Sequence, residues 1–123
     1  MALAVTITYI AAIGSQLRVG YKLTPSGTYV TGGDTVNFST ATADPSFVGT
    51  VPQIMALGAP LSFDIWSQGG NITTVYVPLI GLTAAACKMK GYSALTTEFS
   101  GGSAYPASAL ADTIVGEATF LRL

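Results

Sequence analysis

Pro25, Pro45, Pro52, Pro60, Pro78 and Pro106 punctuate this 123-residue chain and leave no room for a long helix. Each proline removes a backbone donor, and its ring clashes with the preceding turn of a helix. The intervals between them hold short runs of Val, Ile, Thr, Tyr and Phe, separated by Gly, Asn, Asp and Ser. Such runs fit a pleated, half-buried surface better than a helix. The clearest is Gln16 to Leu23, where Leu17, Val19, Tyr21 and Leu23 alternate with Arg18, Gly20 and Lys22. That period of two puts the four apolar side chains on one face of a strand.

The same reading predicts a first strand over Leu3 to Tyr9 and a turn at Gly14-Ser15. Short extended segments follow at Thr28 to Thr31 and Thr35 to Thr40, then a long irregular connection from Asp44 to Pro60 with one helical turn at Ile54 to Leu57. Leu61 to Trp66 and Ile72 to Val77 flank Gln68-Gly69-Gly70-Asn71 and read as a hairpin with a longer loop. Ala84 to Lys90 fits a short strand or a one-turn helix. A loop from Gly91 to Pro106 surrounds a short strand near Thr96 to Phe99, Ala107 to Leu110 turns once, and Thr113 to Leu123 is the last strand. About eight short strands with frequent turns predict a single all-β domain over residues 1–123, with short helical turns confined to loops. The expected architecture is an antiparallel β-sandwich, jelly-roll-like, or a small barrel.

Charge decides which partners this fold suits. Charged residues make up 9 % of the chain and apolar residues 50 %, against roughly 25 % charged in an ordinary soluble domain. Surface this poor in ions is expected to meet other protein, so an assembly component is favoured over a free monomer. Five basic residues, Arg18, Lys22, Lys88, Lys90 and Arg122, are too few and too dispersed for a nucleic-acid footprint. Lys88 and Lys90 share one strand face and form a solvated two-charge patch. No run approaches the ~18 apolar residues of a membrane helix. The uncharged start, MALAVTITYIAAIG, reads as a strand rather than a secretory leader.

Catalytic machinery is scarce. The chain has no histidine and one cysteine, Cys87. Ser-His-Asp and Cys-His nucleophiles, His-based zinc sites, thiolate cages and CxxC redox pairs are thereby excluded, as is an intrachain disulfide. Cys87, after three alanines, reads as a small buried hydrophobe. Asp34, Asp44, Asp64, Glu98, Asp112 and Glu117 are the available carboxylates, and their spacing marks no acid/base pair. No enzymatic activity and no cofactor are expected. Asn37-Phe38-Ser39 and Asn71-Ile72-Thr73 match the glycosylation pattern by chance.

Gly27 to Phe38, GTYVTGGDTVNF, resembles a phosphate loop but lacks its lysine and its following helix. Gly32-Gly33-Asp34 instead supplies the positive φ angles and side-chain-to-backbone bond of a tight turn. A lone acid there is a weak candidate for a metal ligand.

The opening Met-Ala-Leu, the Thr/Val strand, the basic strand from Gly14 to Lys22 and the turn Tyr29 to Asp34 resemble small tailed-phage virion proteins, similar to capsid decoration (cement) proteins. The resemblance covers Met1 to about Phe38, and the Pro/Gly-rich stretch from Asp44 to Pro60 departs from it. It implies an all-β fold that binds the major capsid protein on the capsid exterior as a dimer or trimer, after synthesis in the bacterial host's cytoplasm. The expected contact residues, in exposed loops and at the end strands, are Ile7, Tyr29, Trp66, Tyr92, Tyr105 and Phe120. Other virion roles, in a tail tube, head completion or a fibre, are the nearest alternative. A carbohydrate-binding module, with Trp66, Tyr76, Tyr92 and Tyr105 stacking on sugars, is the alternative of a different class.

Overall fold

The alternation at Gln16 to Leu23 becomes strand β2, Gln16–Pro25, with Leu17, Val19, Tyr21 and Leu23 all buried. In this computed structural model, which describes residues 3–45, 47, 57–67, 74–94, 97–110 and 112–122, β2 lies at the centre of a five-stranded sheet. Strand β1, Leu3–Ile13, pairs with it antiparallel through the Gly14-Ser15 turn. Thr8 is an extra residue in that ladder: Ile7 pairs with Tyr21 and Tyr9 with Gly20. The bulge changes the phase of the strand. Before it Val5 and Ile7 point inward; after it Ile10 packs on the core and Tyr9 lies over Gly20 on the outer face.

Strand β9, Ile114–Arg122, runs along the other edge of β2, and β5, Leu57–Ser67, runs along β9, both antiparallel. The short β4, Thr42–Ala43, joins the far side of β1 in parallel. The second sheet is built on β7, Cys87–Ala94, with β6, Val75–Leu79, on one edge. Its other edge is shared by two short strands, β3, Asp34–Val36, and β8, Thr97–Glu98. The two sheets, mainly antiparallel, pack as an all-β sandwich. The strand order does not by itself identify a jelly roll.

Three local expectations change. Leu61 to Val77 is not a hairpin: β5 pairs with β9, whereas β6 pairs with β7 in the other sheet. Both flanks alternate, so each is locally a strand, and core packing chooses the partner. Phe63 enters a cluster with Tyr21 and Phe38, while Tyr76 meets Phe99. The expected turn at Gln68 to Asn71 lies outside the described residues. Thr35 to Thr40 stops being a strand after Val36, because the Asn37 side chain accepts from the Ser39 N–H (3.0 Å) and tightens Phe38–Thr40 into a 3-10 turn. The connection after Asp44 ends sooner than Pro60, since β5 begins at Leu57; residues 54–56 of the predicted helical turn are outside the described residues.

Elsewhere boundaries move: β1 continues past Tyr9 to Ile13, the Thr28 to Thr31 segment keeps a single bridge between Thr28 and Ala104, and Gly91 to Ala94, expected as loop, belong to β7. Ala84 to Ala86 make a turn and Cys87 opens β7. A one-turn helix, α1, covers Ala107–Leu110. The core is one cluster spanning both sheets. Within it sit two aromatic groups. Tyr21, Phe38, Phe63 and Phe120 form one; Tyr29, Tyr76, Phe99 and Tyr105 form the other.

Candidate functional site

Four of the six expected contact residues are core. Ile7, Tyr29, Tyr105 and Phe120 are buried within the chain and have no surface to offer a partner. Ile7 follows the inward phase of β1, and Phe120 sits on β9, which lies between β2 and β5 rather than at an edge. Tyr29 and Tyr105 leave their loops and turn inward. Trp66 is 61 % exposed and Tyr92 is half-buried. The Lys90 ammonium lies 5.8 Å from the Tyr92 ring centroid, a cation–π contact, and Lys88 and Lys90 do share the outer face of β7.

Buried tyrosines organise the acids. The Tyr29 hydroxyl donates to Glu98 Oε2 (2.6 Å) and accepts from the Gly91 N–H (3.2 Å). The Tyr105 hydroxyl donates to Asp34 Oδ2, and that of Tyr76 to Asp112 Oδ2 (2.6 Å), which also accepts from Thr74 (3.0 Å). Burial first, then the bonded carboxylate, pushes the phenols of Tyr29, Tyr76 and Tyr105 well above the usual tyrosine range. Each of these carboxylates is the hydrogen-bond acceptor of a buried phenol. Burial likewise raises the Cys87 thiol, which is inert in the core.

The Gly32-Gly33-Asp34 stretch is the turn expected of it. Gly32 and Gly33 have φ of 92° and 112°, and the Gly33 N–H donates to the Val30 carbonyl (2.9 Å). Asp34 Oδ1 accepts from the Val30 N–H (3.0 Å), so the side chain closes the turn from inside. A groove of about 540 Å³ opens beside it between β1 and the 30–42 segment, lined by Leu3, Val5, Val30, Thr35 and Asn37 among others. Asp34 reaches this groove with both oxygens already engaged. Among the described residues no group of three or more acids or cysteines is arranged to hold a metal ion.

Two surface features remain, and of their side chains the sequence singles out Trp66 alone as a contact residue. One is the loop after β6. It raises Ile80 and Leu82 into solvent, Leu82 at 92 % exposure, and Val77 beside them on β6 is exposed too. The loop is held tightly. The Ala86 N–H donates to the Thr83 carbonyl (3.1 Å), and the Phe38 N–H to the Ala84 carbonyl (2.9 Å). Gly81 packs so closely on the Ala86 backbone that no side chain fits there.

The other is the outer face of the five-stranded sheet. Tyr9, Gly20, Glu117 and Asp64 form one row across β1, β2, β9 and β5. The Tyr9 ring crosses Gly20, which has no side chain to obstruct it, and its hydroxyl donates to Glu117 Oε2. Burial and this carboxylate push the Tyr9 phenol up to about 12. Glu117 Oε1 accepts from Arg18 Nε at 3.1 Å. Trp66 leans in from β5, its ring 6.5 Å from that of Tyr9 and 25° from parallel. The chain matches no family model, no curated protein and no solved structure. Among the described residues, no helix is long and apolar enough to cross a membrane.

The sequence did carry a signal for each surface. Val77-Pro78-Leu79-Ile80-Gly81-Leu82 is an apolar run too short and too interrupted for a core helix. Gly20, at an outward position of an otherwise regular strand, marks a place where something lies flat on the sheet.

Proposed function

We propose that this is a structural virion protein: a capsid decoration protein that docks on the outer capsid surface and holds neighbouring copies of the major capsid protein together. The observation that carries the reading is Leu82. A leucine 92 % exposed on a loop pinned by backbone hydrogen bonds is a preformed knob. Seating such a side chain in an apolar pocket contributes about 1.5–3 kcal/mol. A rigid sandwich loses little ordering entropy on docking, and Val77 and Ile80 enlarge the same contact. Repetition over a shell, and assembly of the protein itself as a dimer or trimer, turn a modest contact into firm attachment. The likeness of Met1 to Phe38 to tailed-phage decoration proteins supports the same reading, as does the low charge.

The test is co-sedimentation with capsids stripped of their decoration. The protein is expected to pellet with them, and Leu82→Asp is expected to remain in the supernatant with an unchanged circular dichroism spectrum. A wild-type protein that ignores stripped capsids refutes the proposal. Pelleting instead with tail tubes, head-completion complexes or fibres would move it to the neighbouring virion role.

A further inference from the structure

We propose that Tyr9 and Trp66 form the floor of a binding site for a neutral oligosaccharide of pyranose rings. The site is separate from the Leu82 loop and does not depend on the capsid reading. The geometry begins with the sheet. β1 and β5 are separated by β2 and β9, and adjacent strands lie about 4.8 Å apart. Two rings rooted on β1 and β5 with centroids 6.5 Å apart must therefore lean toward one another across the sheet. At 25° from parallel they form one stacked aromatic pair, of which Trp66 is 61 % exposed. Tyr9 is fixed in it by Gly20 below and Glu117 at its hydroxyl.

The rim selects the occupant. Asp64, exposed beside Trp66 on β5, has a carboxylate with no partner among the described residues. Arg18 uses Nε on Glu117, and its terminal nitrogens have no partner among the described residues. An apolar protein surface laid over Trp66 would strand these charges away from water, at a cost that grows with burial. A sugar does not: its C–H face covers the aromatic floor while its hydroxyls donate to Asp64 and accept from Arg18. Nucleic acid would bring phosphates against two carboxylates. Arg18, Glu117 and Asp64 together carry one net negative charge, which favours a neutral glycan over an acidic one.

Trp66 is the chain's one tryptophan, so its fluorescence reports this site alone. The full-length protein is titrated with cellohexaose, maltohexaose and a neutral galactan, and applied to a printed array of neutral and acidic glycans. The expected result is a saturable emission change with at least one neutral glycan. Asp64→Asn is expected to weaken that glycan about tenfold, the scale of one hydrogen bond to a charged group. Trp66→Ala, measured by affinity electrophoresis, is expected to lose binding below detection, and Leu82→Asp to keep it. Both altered side chains are exposed, so the fold is retained and circular dichroism verifies it. The proposal is overturned if no neutral glycan on the array binds. It is equally overturned if binding survives Trp66→Ala, or if only sulfated glycans or tetramethylammonium produce a response.

Discussion

The two aromatic clusters of the core share ring geometry and differ in what their hydroxyls do. In the first, Tyr21, Phe38, Phe63 and Phe120 meet edge to face with centroids 5.1–5.6 Å apart. One hydroxyl is present, that of Tyr21, and it donates to the Asp64 main-chain carbonyl (2.6 Å). In the second, Tyr29, Tyr76, Phe99 and Tyr105 meet in the same way at 5.5–6.3 Å, and three hydroxyls each hold a carboxylate. The first cluster draws three of its rings from β2, β5 and β9, which are already fixed by ladder hydrogen bonds. The second draws Tyr29, Phe99 and Tyr105 from irregular chain held by a few isolated bonds, such as Tyr29 N–H to the Ser103 carbonyl (2.9 Å). Tyr76, on the β6 ladder, holds Asp112 as well. Tyr29 and Tyr105, off the ladders, are oriented by Glu98 and Asp34.

The largest effect should come from the dry cluster. Phe38 is fully buried and touches Tyr21, Phe63 and Phe120, so it joins the 3-10 turn to three strands of the opposite sheet. Phe38→Ala removes that mass and leaves a cavity in a part of the structure that ladders prevent from collapsing. Urea unfolding is expected to show a loss of about 3–5 kcal/mol. A loss under about 1 kcal/mol would mean that the cluster relaxes freely and that the ladders do not hold it.

A matched pair of hydroxyl deletions compares the clusters directly. Tyr105→Phe leaves Asp34, 1 % exposed, with one oxygen stripped of its donor, and should cost about 1–3 kcal/mol. Tyr21→Phe leaves a neutral main-chain carbonyl on an exposed residue without its side-chain donor, and should cost about 0.5–1.5 kcal/mol. Equal losses in the two variants would erase the distinction between the clusters.

The dry cluster was legible in the sequence and the polar one was not. Tyr21 and Phe63 lie on alternating runs, and a period of two assigns them inward whatever their partner strand. Tyr29 and Tyr105 lie among Gly, Ser, Thr and Pro, where the default reading is surface. Their hydroxyls are held by Glu98 and Asp34, respectively 69 and 71 residues away in sequence, and no short-range pattern links an acid to a phenol. A usable hint existed in the composition: six acids face five bases, and the ion pairs engage Asp44, Glu98 and Glu117. An acid such as Asp34 or Asp112 that finds no base must find hydroxyl or N–H donors if it is buried. Phe120 shows a second gap. The last strand of the chain reads as an end available for contact, yet β9 is interior to its sheet, because position along the chain does not fix position across a sheet.

The smallest effect, and the one most specific to the polar cluster, is a dependence on acid. The Tyr29 hydroxyl and then the Gly32 N–H (2.7 Å) hold the Glu98 carboxyl below its ordinary value, with Lys90 adding a lesser contribution at 3.9 Å. A carboxyl lowered in the folded state binds fewer protons folded than unfolded, so stability rises with pH across the interval between the two values. The contribution is complete above the ordinary glutamate value of 4.5 and fades as pH falls through the lower, folded one. Stability measured by urea unfolding at successive pH steps is expected to drop in that window for the wild type. Tyr29→Phe removes the leading cause, so its curve should start lower and fall less steeply there. Tyr21→Phe, whose hydroxyl meets no carboxylate, should shift the whole curve without changing its slope. If Tyr29→Phe and Tyr21→Phe give parallel curves, the acids are passive neighbours of the tyrosines, and the loops are held by ring packing alone.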